Sequence, residues 1–273
     1  MSVPNVVLNN GIEIPQLGFG VWRVPSEETQ EVVELALEAG YRHIDTATLY
    51  GNEDGVGAAI RASGLDRDQV FVTSKVWNDD QGYDATLRAF EATMRELKFD
   101  VLDLYLIHWP VPSKGLAADT WRAMEKLYHD GRIRAIGVSN FHAHHLDALM
   151  RTAEVRPTVN QVELHPYHQQ REVRDADDRL QIATEAWSPL AKGRELLEDA
   201  VVREIASRHG RTPAQVVLRW HLQHGTIVIP KSVTPSRIKE NIDVFDFELD
   251  TVEVSAVDGL NRDARIGAHP DEM

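Results

Sequence analysis

The sequence predicts an α/β fold: a (β/α)8 (TIM) barrel with an N-terminal β-hairpin and additional C-terminal helices. Three observations predict it. Eight short strand-like segments follow one another along the 273-residue chain. Nearly every one is followed by a helical segment, and the unit recurs at roughly 30 residues. Several strands, such as "VLDLYLI" (101–107) and "TIVI" (226–229), are near-continuous apolar runs, as expected of strands buried on both faces. Parallel strands need such crossover helices, and eight units in about 250 residues suit a closed barrel. The competing doubly wound sheet would want G-x-G-x-x-G after its first strand; "LGFGVWRVPSEE" (17–28) has only G-x-G, and Pro25 interrupts it.

The elements follow in order. Two apolar runs flank Asn9-Asn10-Gly11, a turn sequence that favours positive φ and predicts a hairpin. "LGFG" (17–20) is the first barrel strand. A helix spans 26–39, with Ser26 as N-cap, Val32, Val33, Leu35 and Leu37 as apolar positions, and Gly40 as terminator. "YRHID" (41–45) is the second strand. The alternation continues with helix 53–63, strand 70–74, helix 84–97, strand 101–107, helix 118–130 and strand 133–138. Helix 143–153, strand 158–162, helix 170–179 and strand 181–186 follow. Helices 195–209 and 213–224 precede the last strand, 226–230, and helices 234–242 and 250–260 finish the chain. No linker or low-complexity stretch interrupts 1–273, so one domain is expected.

Composition narrows the function. The chain has no cysteine, a net charge of -14 and 42% hydrophobic residues. It therefore has material for a core but none for disulfides or thiolate-held metals. The acidic balance argues against nonspecific nucleic-acid binding. There is no signal-peptide pattern and no apolar run of membrane-spanning length, which predicts a soluble, cytoplasmic protein with no membrane partner.

"QVFVTSKVW" (69–77) raises a sharper question, because Lys75 ends a buried strand. An unpaired buried ammonium is costly, so Lys75 needs a partner and a task. Active sites of such barrels lie at the C-terminal ends of the strands, and the polar residues gather there. Asp45 ends the second strand with Tyr50 just beyond it, Lys75 ends the third and His108 the fourth. An ionised Asp45 would keep Lys75 charged, and Lys75 would stabilise the Tyr50 phenolate and draw its pKa down towards working pH. A neutral His108 would hydrogen-bond and orient a carbonyl oxygen. Protonating a carbonyl oxygen is half of a reduction. No side chain delivers hydride, so a nicotinamide must. "VIPKSVTPSRIKEN" (228–241) offers a seat for its phosphate: Lys231 and Ser232 at a strand end, Thr234 or Ser236 as helix cap, and Arg237 at the helix start. A cationic seat of this kind favours NADPH over NADH.

These motifs together resemble the aldo-keto reductase superfamily over essentially the whole chain. The matching blocks are "LGFGVW" (17–22), "GYRHIDTATLYGNE" (40–53), "TSKVW" (73–77), "DLYLIHWP" (103–110), "GVSNF" (137–141), "NQVELHP" (160–166), "WSPL" (187–190) and "IPKSVTPSRIKEN" (229–241). "DVFDFEL" and the tail "AHPDEM" point to the bacterial 2,5-diketo-D-gluconate reductase branch. The resemblance implies a catalytic tetrad of Asp45, Tyr50, Lys75 and His108, with Tyr50 as proton donor. It implies that Ser139, Asn140 and Gln161 hold the nicotinamide carboxamide and that Trp187 stacks on its ring. Ser188, Leu190 and Gly193 would line the pyrophosphate, and Lys231, Ser232, Arg237 and Asn241 the 2′-phosphate end. Trp22, Trp77 and Trp109 would wall the substrate pocket. The segment "WPVPSKGLAADTW" (109–121) is short, as is the tail, which implies an open pocket for small carbonyls such as 2,5-diketo-D-gluconate, methylglyoxal or keto esters. The family implies a monomer.

Rival readings have distinct signatures. His142, His144 and His145 in "FHAHHLDAL" (141–149) suggest a metal site, but adjacent helical residues point in different directions, so no metal is expected. Glu163 and Glu185 mimic a glycosidase carboxylate pair, while His43 and His165 read as packing residues. A barrel that binds NADPH as a sensor or regulatory subunit, with little turnover, is the remaining alternative.

Overall fold

The computed structural model describes residues 3–193 and 195–273. Strands β1 (Asn5–Val7) and β2 (Glu13–Pro15) form the expected antiparallel hairpin, with Gly11 at φ +82° in its turn. The barrel strands are β3 (Phe19–Gly20), β4 (His43–Asp45), β5 (Phe71–Val76), β6 (Leu102–Ile107), β7 (Ile133–Ser139), β8 (Val159–Glu163), β9 (Ala183–Trp187) and β10 (Ile227–Val228). They pair in chain order, all parallel. A parallel bridge from Leu17 to Val228 closes the ring, with Gly18 N–H donating to the Val228 carbonyl at 2.8 Å.

Helix α1 (Ser26–Ala39) follows β3, α2 (Glu53–Ala62) follows β4, α3 (Tyr83–Leu97) follows β5 and α4 (Ala117–His129) follows β6. Helix α5 (Ala143–Leu149) follows β7, and α6 (Arg171–Arg179) follows β8. Between β9 and β10 lie α7 (Glu195–Glu198), α8 (Ala200–His209) and α9 (Pro213–Gln223); α10 (Pro235–Ile242) and α11 (Thr251–Asp258) end the chain. The helix expected over 195–209 is therefore two. Asp199 breaks it by capping α8, accepting a hydrogen bond from Val201 N at 2.9 Å. Ser26 does not cap α1: Pro25 holds that position, and the Ser26 hydroxyl lies 3.4 Å from Asp54 Oδ1. Gly40 does end α1, at φ +107°.

The strand period places the site. Side chains alternate across a strand, so Phe71, Thr73 and Lys75 share the face turned into the barrel. Phe71 packs low in the barrel with Leu104, Leu106, Ala135, Val159 and Ile227, and the hairpin's Leu8 and Ile14 plug that end. The same inward faces carry a buried polar set, His43, Asp45, Thr73, Lys75, Gln161 and Glu185, with His43 level with Phe71 and Lys75 two residues above Thr73. The outward set, including Ile44, Val72, Tyr105, Ile136 and Val162, packs in the main core with the helices. The G-x-G of "LGFG" is explained by packing. A Cβ on Gly18 would lie 2.4 Å from His43 Nδ1, and one on Gly20 would lie 3.2 Å from the Ile229 carbonyl.

Candidate active site

Lys75 is fully buried and spends all three ammonium protons inside the barrel mouth. Nζ lies 2.7 Å from Asp45 Oδ1, 2.9 Å from the Thr46 carbonyl and 3.5 Å from Tyr50 Oη. Burial alone would lower its pKa; Asp45, Tyr50 and Glu185 more than reverse that, so Lys75 stays charged. Tyr50 follows β4 on a short helical turn and lies beneath Trp22, ring centroids 4.8 Å apart. His108, just past β6, meets Tyr50 edge-on at 5.9 Å and Trp77 at 5.1 Å. The structure thus brings Asp45, Tyr50, Lys75 and His108 together.

One electrostatic expectation is corrected. Tyr50 is not drawn down towards neutral pH. Burial pushes its hydroxyl up to about 12, and the opposing pull of Lys75 offsets only part of that. The hydroxyl is therefore protonated across the working range. His108 lies well below the ordinary histidine range, first through burial and then through Lys75, so it is neutral.

Ser139, Asn140, Gln161 and Trp187 form a second connected group. Ser139 Oγ donates to the Gln161 carbonyl at 2.8 Å. Asn140, at φ +63°, donates to the His108 carbonyl at 3.0 Å and accepts from Trp187 Nε1 at 2.8 Å. This fixes the Trp187 ring against the end of β7. Trp22 is 43% exposed at the mouth, whereas Trp109 is only 9% exposed and offers little wall. Beyond β9, Ser188, Ala191, Lys192 and Gly193 all take positive φ, and the Leu190 carbonyl accepts from the Gly193 N–H at 2.8 Å.

Gln161 has a further role that no local pattern announced. Its Nε2 donates to Asp45 Oδ2 and to Glu185 Oε2, both at 2.8 Å, tying the tetrad to a carboxyl on β9. Burial, then the Asp45 charge, push Glu185 up to about 8. A carboxyl raised above its unfolded value favours the fold while protonated, and that contribution is lost as pH rises from the ordinary carboxyl range towards 8. Glu185→Gln should remove this slope, which amounts to up to roughly 1 kcal/mol per pH unit. Urea unfolding at several pH values checks it; parallel pH profiles for the two proteins would reject it. Glu163 is no partner of Glu185: it accepts from His165 and from the amides of Ile266 and Gly267, holding the tail.

The other end of the site fits a phosphorylated nucleotide. Among the described residues no side chain caps α10: Thr234 makes no such bond, and its own N–H goes to Ser232 Oγ at 3.1 Å. Among the described residues the cap expected from Thr234 or Ser236 is absent, which leaves the helix start bare. Lys231 has its pKa lowered, first by burial and also by Arg23, a cation that the motifs did not flag. Neither Lys231 nor Arg237 enters an ion pair among the described residues. Asn241 is buried on α10. Uncommitted cations beside a bare helix N-terminus are what an anionic group requires.

Comparison with known proteins gives the family. The profile of the Aldo/keto reductase family matches residues 16–262. The chain belongs to the aldo/keto reductase family. It is 54% identical over 269 residues to a glyoxal reductase of Bacillus subtilis, covering 98% of this chain and 96% of the relative. It is 47% identical over 275 residues to the methylglyoxal reductase DkgA of Salmonella typhimurium, covering 100% and 99%. A Gox0644 variant solved in complex with NADPH superposes with a TM-score of 0.96 at 49% identity, covering 100% of this chain and 99% of that one. This aldo/keto reductase is thus an oxidoreductase built on the (β/α)8 barrel that its strand pattern predicts.

Proposed function

We propose that this aldo/keto reductase converts small aldehydes and ketones to alcohols with NADPH, with Tyr50 as the proton donor. The observation that carries the reading is the fully buried Lys75 held between Asp45 and Tyr50 beside a neutral His108. NADPH, when bound, supplies the hydride. Ser139, Asn140 and Gln161 would hold its carboxamide and Trp187 its ring. Ser188, Leu190 and Gly193 would follow the pyrophosphate, and Lys231, Ser232, Arg237 and Asn241 the 2′-phosphate, with Arg23 adding charge beside Lys231.

The chain's own residues do the rest. A neutral His108 offers one N–H to a carbonyl oxygen and orients it towards Tyr50. Tyr50 is loaded with its proton at neutral pH and releases it only as negative charge develops on that oxygen. Lys75 then faces the phenolate it leaves behind. Asp45 and Gln161 hold Lys75 in place through this change.

Trp22 and Trp77 are read as the substrate walls, with little contribution from the buried Trp109. Relatives named for glyoxal and methylglyoxal make small dicarbonyls the first substrates to try, with 2,5-diketo-D-gluconate and keto esters beside them. The same reading takes 1–273 as one cytoplasmic, monomeric domain; among the described residues no helix is long and apolar enough to cross a membrane. The test is the fall in reduced-nicotinamide absorbance with purified protein, either nucleotide and this panel. NADPH-preferring turnover supports the reading. NADPH binding with no turnover on any carbonyl would replace it with a nucleotide-sensing role.

Arg237→Ala separates the two nucleotides. Losing a charge-assisted contact to the 2′-phosphate should weaken NADPH by about 10- to 100-fold and leave NADH nearly unchanged. Fluorescence titration with both nucleotides measures this, and equal losses would remove Arg237 from that role.

A further inference from the structure

We propose that His144, His145 and Asp271, with His142 as fourth donor, form a binding site for one divalent transition-metal ion of the zinc, cobalt and nickel class. The three histidines flank the start of α5, and Asp271 reaches them from the C-terminal tail, 127 residues beyond His144. One donor atom from each of the four lies within 4.8 Å of the others. His144 Nε2 and His145 Nε2 are 3.1 and 3.0 Å from Asp271 Oδ1, and His142 Nδ1 is 3.7 Å from the same oxygen. Metal bonds of about 2.0–2.1 Å in a tetrahedron set donor edges of roughly 3.3 Å, so small side-chain adjustments suffice. His145 is 9% exposed, and its Nε2, although 3.0 Å from Asp271 Oδ1, is not aligned for a hydrogen bond to it and has no other partner among the described residues. Three imidazoles with one carboxylate select zinc-like ions over magnesium or calcium, which require oxygen donors.

Along the helix alone adjacent histidines point apart, but the cluster is not built by the helix alone. His142 lies before α5 in extended backbone, and its ring turns back to stack on His145, centroids 5.6 Å apart. The missing anionic donor comes from the tail, which no local spacing could reveal. Binding asks for two exchanges. His145 Nδ1 accepts from the His142 amide at 3.1 Å, and His142 Nε2 accepts from Arg265 at 3.3 Å. Ligation through His145 Nε2 and His142 Nδ1 moves each ring proton to the far nitrogen, so both contacts open. The Asp271 carboxylate balances the Arg265 charge beside the site.

The place gives the site a consequence. Ser139 ends β7, and Asn140, which opens the loop before α5, holds Trp187. The tail passes Trp187 so closely that a Cβ on Gly267 would lie 2.5 Å from its ring. An ion at this cluster ties that tail to that loop, clamping both sides of Trp187.

The test is calorimetric titration of tag-free protein with Zn2+, paired with the visible spectrum of the Co2+ adduct. One site per chain and the intense bands of four-coordinate Co2+ are expected. Asp271→Asn should weaken Zn2+ at least tenfold, and the double variant His144→Ala/His145→Ala should abolish the site. Asp271 and His144 lie at the surface whereas His145 is buried, so metal-free melting is measured for both variants, and unchanged melting confirms that they fold. No stoichiometric binding overturns the proposal and leaves a hydrogen-bonded latch. Equal Zn2+ affinity in wild type and variants overturns it too, by placing the ion on other histidines.

Discussion

Tyr50→Phe is expected to lower kcat for carbonyl reduction by about 10²- to 10⁴-fold, the range supplied by a positioned general acid, while leaving NADPH affinity within about twofold. The substitution removes one oxygen and keeps the ring that packs against Trp22 and His108. Lys75 loses only its longest contact, 3.5 Å, and keeps Asp45 and the Thr46 carbonyl. The fold should therefore lose no more than about 1 kcal/mol, the usual worth of one hydrogen bond. Loss of turnover with melting and nucleotide binding intact isolates the proton transfer. Because the hydroxyl is held up near 12 in the nucleotide-free protein, the rate should stay flat in the acid-to-neutral range where Tyr50 is fully loaded. A variant with full activity would show that another group, or water, delivers the proton.

The residues that were legible in the sequence are those whose signal is local. Alternation along β5 puts Lys75 on the same face as Phe71, inside the barrel, and the strand "YRHID" and the apolar run before His108 put Asp45 and His108 at strand ends. The hairpin and the eight strands carry their own turn residues and periods. What stayed hidden depends on distant partners. Gln161 joins Asp45 to Glu185 across strands that lie 116 and 24 residues from it, and no spacing encodes that. The net acidity of Tyr50 depends on how deeply Trp22 and the barrel wall bury it, so the pull of Lys75 was visible and the larger opposing effect was not. The tail's return to Glu163 and to the histidines near α5 has no periodicity at all. The break at Asp199 is a different case: a good N-cap stood in plain view, within an apolar pattern that read as one helix.

Lys75→Met should damage stability and turnover together, and the two effects can be separated. Methionine fills similar space but leaves Asp45 buried with only the Gln161 amide on its far oxygen. Breaking a buried pair in this way costs about 3–5 kcal/mol, because the remaining charge has no counter-ion. Turnover should fall by about 10²- to 10³-fold, the scale of losing one preorganised electrostatic group. The double variant Asp45→Asn/Lys75→Met removes the stranded charge, so urea unfolding should show much of the stability returning. Carbonyl reduction should not return with it, because Tyr50 still lacks the cation that receives its phenolate. A double variant that regained turnover along with stability would reduce Lys75 to a structural counter-ion. One that regained stability alone would place the ammonium in the chemistry, since the reaction would then fail in a barrel whose core is sound.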